Sequence, residues 1–89
     1  MADLDKIKER ISEIAERRNN VTLTEIEWVV RQLDEHGYVV DSSNARHGKL
    51  FHVESQTFMV NHHNSGNKQV KGYSVKDFIK AMIELGLYE

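Results

Sequence analysis

Three short β-type runs between residues 38 and 60 leave this chain few folds to choose from. They are Tyr38-Val39-Val40, Leu50-Phe51-His52-Val53 and Thr57-Phe58-Met59-Val60. The polar connection Asp41–His47 reads as a hairpin loop, and Glu54-Ser55-Gln56 as the next turn. Links this short join antiparallel neighbours, because a parallel crossover needs a dozen or more residues. The stretch therefore predicts a three-stranded antiparallel meander. In the second run Leu50 and His52 share one face, and Lys49, Phe51 and Val53 the other.

Helical patterns flank the strands. In residues 3–18, Leu4, Ile7, Ile11 and Ile14 recur at spacings that fall on one helix face, and the stretch ends at the polar turn Arg18-Asn19-Asn20. Residues 22–36 read as a second helix with Ile26, Val29, Val30 and Leu33 on its sheet-facing side. Thr22 with Glu25, or Thr24 with Glu27, forms its capping box, and Val21 with Ile26 a hydrophobic staple. Trp28 points away from that side and needs cover, which the apolar stripe of the first helix can give; the alternative is an exposed Trp that binds a partner. Gly37 ends the helix as a left-handed residue. After the strands comes a polar loop over 61–73, with Gly66 and Gly72 free to take unusual backbone angles. A last helix follows over 74–85, capped by Ser74 and stopped by Gly86, with Leu87 folding back.

The order α-α-β-β-β-α, on 89 residues, predicts one α+β domain spanning 1–89. Its helices should pack on one face of the three-stranded sheet, an architecture like that of double-stranded-RNA-binding domains. Apolar residues at 39% and charged residues at 29% suit a soluble globular chain. There is no Cys, which excludes disulfides and Cys-based zinc sites. The N-terminus lacks the apolar segment of a signal peptide, so a cytoplasmic protein is expected.

Charge is unevenly spread. Residues 1–40 carry six Lys/Arg and nine Asp/Glu, whereas residues 44–76 carry five Lys/Arg and one acid. Four of the five histidines (His47, His52, His62, His63) also lie between 37 and 73. A local basic face can attract a polyanion even when the whole chain is slightly acidic. The same distribution also fits an ordinary solvated surface, and both readings stay open. His62-His63 are adjacent with no nearby acid in sequence, so no metal is expected there, and no cofactor elsewhere.

Residues 21–87 resemble the HicA family of small toxin-type ribonucleases. The family has a helix ending in Gly-aromatic, then a Gly-Ser-His motif. Here Gly37-Tyr38 ends the helix and His47 stands at the motif histidine, with Ala45-Arg46 in place of Gly-Ser. A second register sets Gly48-Lys49 on Gly-Ser and Leu50 on the histidine, which leaves no catalytic base. Asn61, Gly66 and Lys71-Gly72-Tyr73 match a branch of the family that also carries an extra N-terminal helix, here residues 3–18. The resemblance implies an mRNA endoribonuclease of a toxin–antitoxin pair, silenced by a HicB-like antitoxin.

Metal-free RNA cleavage needs a base for the 2′-OH, an acid for the 5′-oxygen and cations for the phosphate. Imidazole suits both proton transfers because it titrates near neutrality. The resemblance makes His47 the catalytic residue. Arg46, Lys49, Lys68 and Lys71 are the candidate phosphate contacts, and His52, His62 or His63 the second proton-transfer group. Tyr38 and Tyr73 could stack on bases, although Tyr38 equally suits the core. The other readings are a non-catalytic module on the same fold, binding RNA or a protein partner, and a structural dimerisation domain.

Overall fold

The computed structural model describes residues 3–63 and 68–89; Gly66, expected to bend the loop, lies outside them. Helices α1 (Leu4–Arg17) and α2 (Leu23–Glu35) are followed by strands β1 (Val40–Ala45), β2 (Gly48–Val53) and β3 (Gln56–Asn61), then by α3 (Gly72–Glu84). The strands form one antiparallel sheet in the order β1-β2-β3. Among the described residues, no helix is long and apolar enough to cross a membrane.

The expected element order is present, but β1 differs from its prediction. Tyr38-Val39 lie outside it, and the polar run Asp41–Ala45, expected as a loop, is the strand itself. Hydrophobic alternation could not mark it, because residues 41–44 are all exposed and β1 pairs through its backbone. Ala45 pairs with Gly48, so the connection shrinks to the two residues Arg46-His47. Val53 pairs with Gln56, so the second turn is Glu54-Ser55, with Glu54 at φ 55.

Alternation decides the two sheet faces. Phe51, Val53, Phe58 and Val60 are buried on the helix side. Phe51 and Phe58 are cross-strand partners with ring centroids 5.5 Å apart, and Phe78 of α3 meets Phe58 edge-on at 5.7 Å. Such aromatic pairs add about 0.5–1.5 kcal/mol each to their burial. Ile26, Val29 and Leu33 of α2 and Val75, Phe78 and Met82 of α3 complete this layer, all fully buried.

Helix α1 packs against α2 and α3. Its stripe residues Ile7, Ile11 and Ile14 are fully buried, in the same core as the sheet residues. Trp28 is half-buried against the core, and the group of α1 that lies over its ring is the Arg10 guanidinium, 5.0 Å from the centroid.

Helix ends follow local rules with one exception. Asp3 caps α1 by accepting from the Lys6 N–H at 2.9 Å. Of the two capping boxes, the Thr22–Glu25 one forms: Glu25 Oε1 reaches the Thr22 N–H at 3.4 Å. Glu25 also pairs with Arg17, whose guanidinium is held above its usual range chiefly by that hydrogen bond. Gly37 at φ 93 and Gly86 at φ 75 close α2 and α3. The following N–H groups return to the helices, Tyr38 to Leu33 O at 3.0 Å and Leu87 to Met82 O at 2.9 Å. The exception is Ser74, which does not cap α3. The helix starts two residues earlier at Gly72, because the Lys71 carbonyl accepts from the Ser74 and Val75 N–H groups at 2.9 and 3.2 Å.

Two substitutions test this packing. Ile11→Ala should destabilise by about 2–5 kcal/mol, because α1 belongs to the core; a loss under 1 kcal/mol in denaturant unfolding would make α1 a dispensable addition. Gly48→Ala should cost about 1–3 kcal/mol. A Cβ at Gly48 would collide with the Val60 carbonyl and sit 2.8 Å from Asn61 Cα. Thermal unfolding of this variant should show the loss without any glycine-specific φ being involved.

Candidate nucleic-acid interface

The sheet register sends the β1–β2 turn and the end of β3 to the same place. Arg46 and His47 form the turn, both exposed. Gly48 pairs with Asn61, so the residue after β3 lies beside the turn: the His62 N–H donates to the His47 carbonyl at 2.9 Å. Two histidines far apart in sequence are thus adjacent along one sheet end.

The connection after β3 is partly ladder rather than free loop. His62 bridges to Val70, which is buried. The His63 N–H donates to Gln69 O at 2.7 Å, and the Lys71 N–H to Asn61 O at 2.9 Å. On its other side this segment is stitched to the start of α2. Leu23 N–H donates to Lys68 O at 3.1 Å, and Val70 N–H to Val21 O at 2.7 Å. Lys68 and Lys71 are therefore brought to the same end as Arg46 and His47, with Lys68 exposed at φ 52 and Lys71 half-buried.

Asn61 joins the sheet end to α3. Its N–H donates to Ser74 Oγ at 2.9 Å and its side-chain amide to Tyr73 Oη at 3.1 Å. Ser74 is fully buried. Its hydroxyl is spent on a β3 N–H that would otherwise lack a partner. No pattern in the sequence marks Ser74 for this, since a hydroxyl in the first turn of a helix looks like a cap. Tyr73 stays 55% exposed, so its ring is open to a stacking partner, whereas Tyr38 packs against the core.

Among the ring nitrogens, His62 Nδ1 is 2.9 Å from the His63 carbonyl oxygen. A carbonyl can only accept, so Nδ1 carries the hydrogen, and Nε2 is the free nitrogen of the neutral ring. That is the tautomer a proton-accepting imidazole needs.

Two candidates are placed elsewhere. His52 lies five positions along from His47, roughly 16 Å at about 3.3 Å per residue. It pairs with Asp41 and Thr57 near the opposite end of the sheet. Its Nδ1 is 2.8 Å from Thr57 Oγ1. Lys49 faces the helices, and its ammonium is 3.0 Å from Glu27 Oε2 of α2. That bridge is part-buried, and it withdraws Lys49 from the set of cations available to a phosphate.

The sheet face away from the helices is not basic, contrary to a reading in which the sheet itself is the charged surface. Asp41, Ser43 and Ala45 of β1, Gly48, Leu50 and His52 of β2, and Thr57, Met59 and Asn61 of β3 occupy it. Leu50 and Met59 are half-buried partners at its centre. Arg46, Lys68 and Lys71 lie at the sheet end because the turn and the 68–71 segment lie there, not because the strands carry them outward, whereas Lys76 stands on α3 near Arg18 and Lys80. Among the described residues, no cluster of three His, Asp or Glu could hold a metal ion.

Comparison with protein-family models, curated proteins and solved structures gives no match for this chain.

The Ser74 tie is open to test. Ser74→Ala leaves the part-buried Asn61 N–H without its partner and should cost about 0.5–1.5 kcal/mol. Amide exchange should show Asn61, His62 and Lys71 losing protection before the core of α2 does. Uniform loss across the molecule would mean that the bond has no local role.

Proposed function

We propose that this chain binds single-stranded RNA at the sheet end built by Arg46-His47, His62-His63 and the 68–71 segment, and cleaves it without a metal. The observation that carries the reading is the backbone contact between His62 and His47, which sets two histidines side by side among Arg46, Lys68 and Lys71. In the reaction, the RNA 2′-oxygen attacks the adjacent phosphorus while a base removes its proton. The P–O5′ bond breaks as an acid protonates the leaving oxygen, giving a 2′,3′-cyclic phosphate and a 5′-hydroxyl. His47 and His62 would share the two proton transfers. Arg46, Lys68 and Lys71 would hold the phosphates, and Tyr73 would stack on a base.

The resemblance of residues 21–87 to the HicA family extends this reading to mRNA cleavage by the toxin half of a toxin–antitoxin pair. A HicB-like partner would then have to cover the sheet end rather than the sheet face.

A second reading is supported by the side chain of His47, which has no hydrogen-bond partner among the described residues. Among the described residues, no side chain orients its ring as a catalytic base is usually oriented. On this reading the same sheet end binds RNA and leaves it intact.

Binding and cleavage of a labelled single-stranded RNA distinguish the two. Affinity should fall steeply with salt, and Lys68→Ala and Lys71→Ala should each flatten that dependence. His47→Ala and His62→Ala should each reduce cleavage at least ~100-fold with binding kept within about threefold. Binding without cleavage by the wild type would establish the second reading. Salt-independent or absent binding would overturn both.

A further inference from the structure

The sheet has two edges, and they are covered unequally: β3 is tied down at its Asn61 end, while Gln56 to Met59 line an open cleft against α3. Along β3, α3 packs close, Ser74 Oγ takes the Asn61 N–H, and the 69–71 segment pairs with the residues just past the strand. Along β1 the edge is open, and Asp41 to Asn44 are all exposed.

Which groups point outward follows from the turn. Ala45 and Gly48 flank a two-residue turn, so they exchange hydrogen bonds with each other. Alternation then turns Ser43 and Asp41 towards β2. The N–H and C=O groups of Val40, Ser42 and Asn44 point away from the sheet. The Ser42 N–H agrees with this: it donates to the neighbouring Asp41 Oδ1 at 2.8 Å rather than to β2. Natural edges are guarded by Lys, Pro or a bulge. β1 has no Lys and no Pro, and its register with β2 is unbroken. Its one guard is the Asp41 carboxylate folded over Ser42.

We propose that β1 is a self-association edge, at which two copies of this chain join β1 to β1, antiparallel, about a twofold axis at Ser42. In that register Ser42 lies opposite Ser42, and Val40 opposite Asn44 of the second copy, so every outward-pointing group finds a partner. Facing residues have the same parity, so both sets of helices lie on one side of a continuous sheet. Asp41 faces Ser43 of the second copy, and no two carboxylates meet. Val39, which is 73% exposed and otherwise unexplained, lies beside Ala45 of the second copy. The edge is short and buries less than the ~1,000 Å² that a stable interface needs. Asp41 must also release the Ser42 N–H, so the dimer is weak and forms at high concentration.

Sedimentation equilibrium on the full chain between about 10 µM and 1 mM, paired with amide exchange at both ends of that range, tests the proposal. The average mass should rise towards a dimer, and the Val40, Ser42 and Asn44 amides should gain protection together with it. Ser42→Pro and Asn44→Pro each remove an N–H that no β1–β2 bond uses. Each should leave thermal unfolding at low concentration unchanged and weaken association at least ~10-fold. A monomer at every concentration overturns the proposal. So does a dimer in which the Ser42 and Asn44 amides stay unprotected, because its interface then lies elsewhere, such as the Leu50–Met59 face. The exchange measurement uses the wild type, so it decides even where a proline variant fails to fold.

Discussion

The pairing of Phe51 with Phe58 under Phe78 sets the position of nearly everything else. Strand side chains alternate with a period of two, so a slip of one residue would turn Phe51, Val53, Phe58 and Val60 out into water. At about 1.5–3 kcal/mol per large apolar side chain, that penalty is of the same size as the whole stability of a typical domain, about 5–15 kcal/mol. The register is thereby locked, and both connections become two-residue turns at opposite ends of the sheet. The Arg46-His47 turn must then meet the end of β3, and His52 must lie towards the far end. Gly48 belongs to the same constraint, because the strands approach too closely at Asn61 to admit a side chain there.

Charge placement follows from the same locking. Lys49 shares the parity of Phe51 and Val53 and is therefore drawn under the sheet, where Glu27 meets it. The outward parity carries one carboxylate (Asp41), one imidazole (His52) and otherwise small, hydroxyl, amide and apolar groups, so no Lys or Arg stands on the open face. The cations that stay available come from places where alternation does not apply: the turn and the stitched segment after β3. The sheet acts here as a positioning device. Its end carries the residues of the proposed site, and its β1 edge, guarded by the Asp41 carboxylate alone, is a separate backbone surface on the opposite side from α3.

Much of the fold was legible because local rules acted alone. The isoleucine stripe of α1, the staple at Val21 and Ile26, the glycine stops at Gly37 and Gly86, and the two apolar strands each depend on residues a few positions apart. β1 was illegible for a physical reason. A polar edge strand buries little, so nothing in its composition separates it from a loop, and its partner β2 alone makes it a strand. Ser74 was misread because a hydroxyl serves a helix end and a neighbouring strand equally well, and only the position of Asn61 decides between them. Of the site residues, His47, Arg46, Lys68 and Lys71 were recognisable as candidates. The choice among His52, His62 and His63 depended on where β3 ends.

The amino-acid sequence by itself determined the order of elements, the helix limits set by caps and glycines, and the meander, because each follows from short-range periodicity and turn length. It also determined which residues could carry proton transfer or hold an anion. The tertiary structure decided which of them meet. It set His62 against His47, gave Lys49 to Glu27, held Lys68 and Lys71 to the sheet end and left β1 open. These are relations between distant segments. They are fixed by burying one face of a sheet, a requirement that acts on the whole core at once.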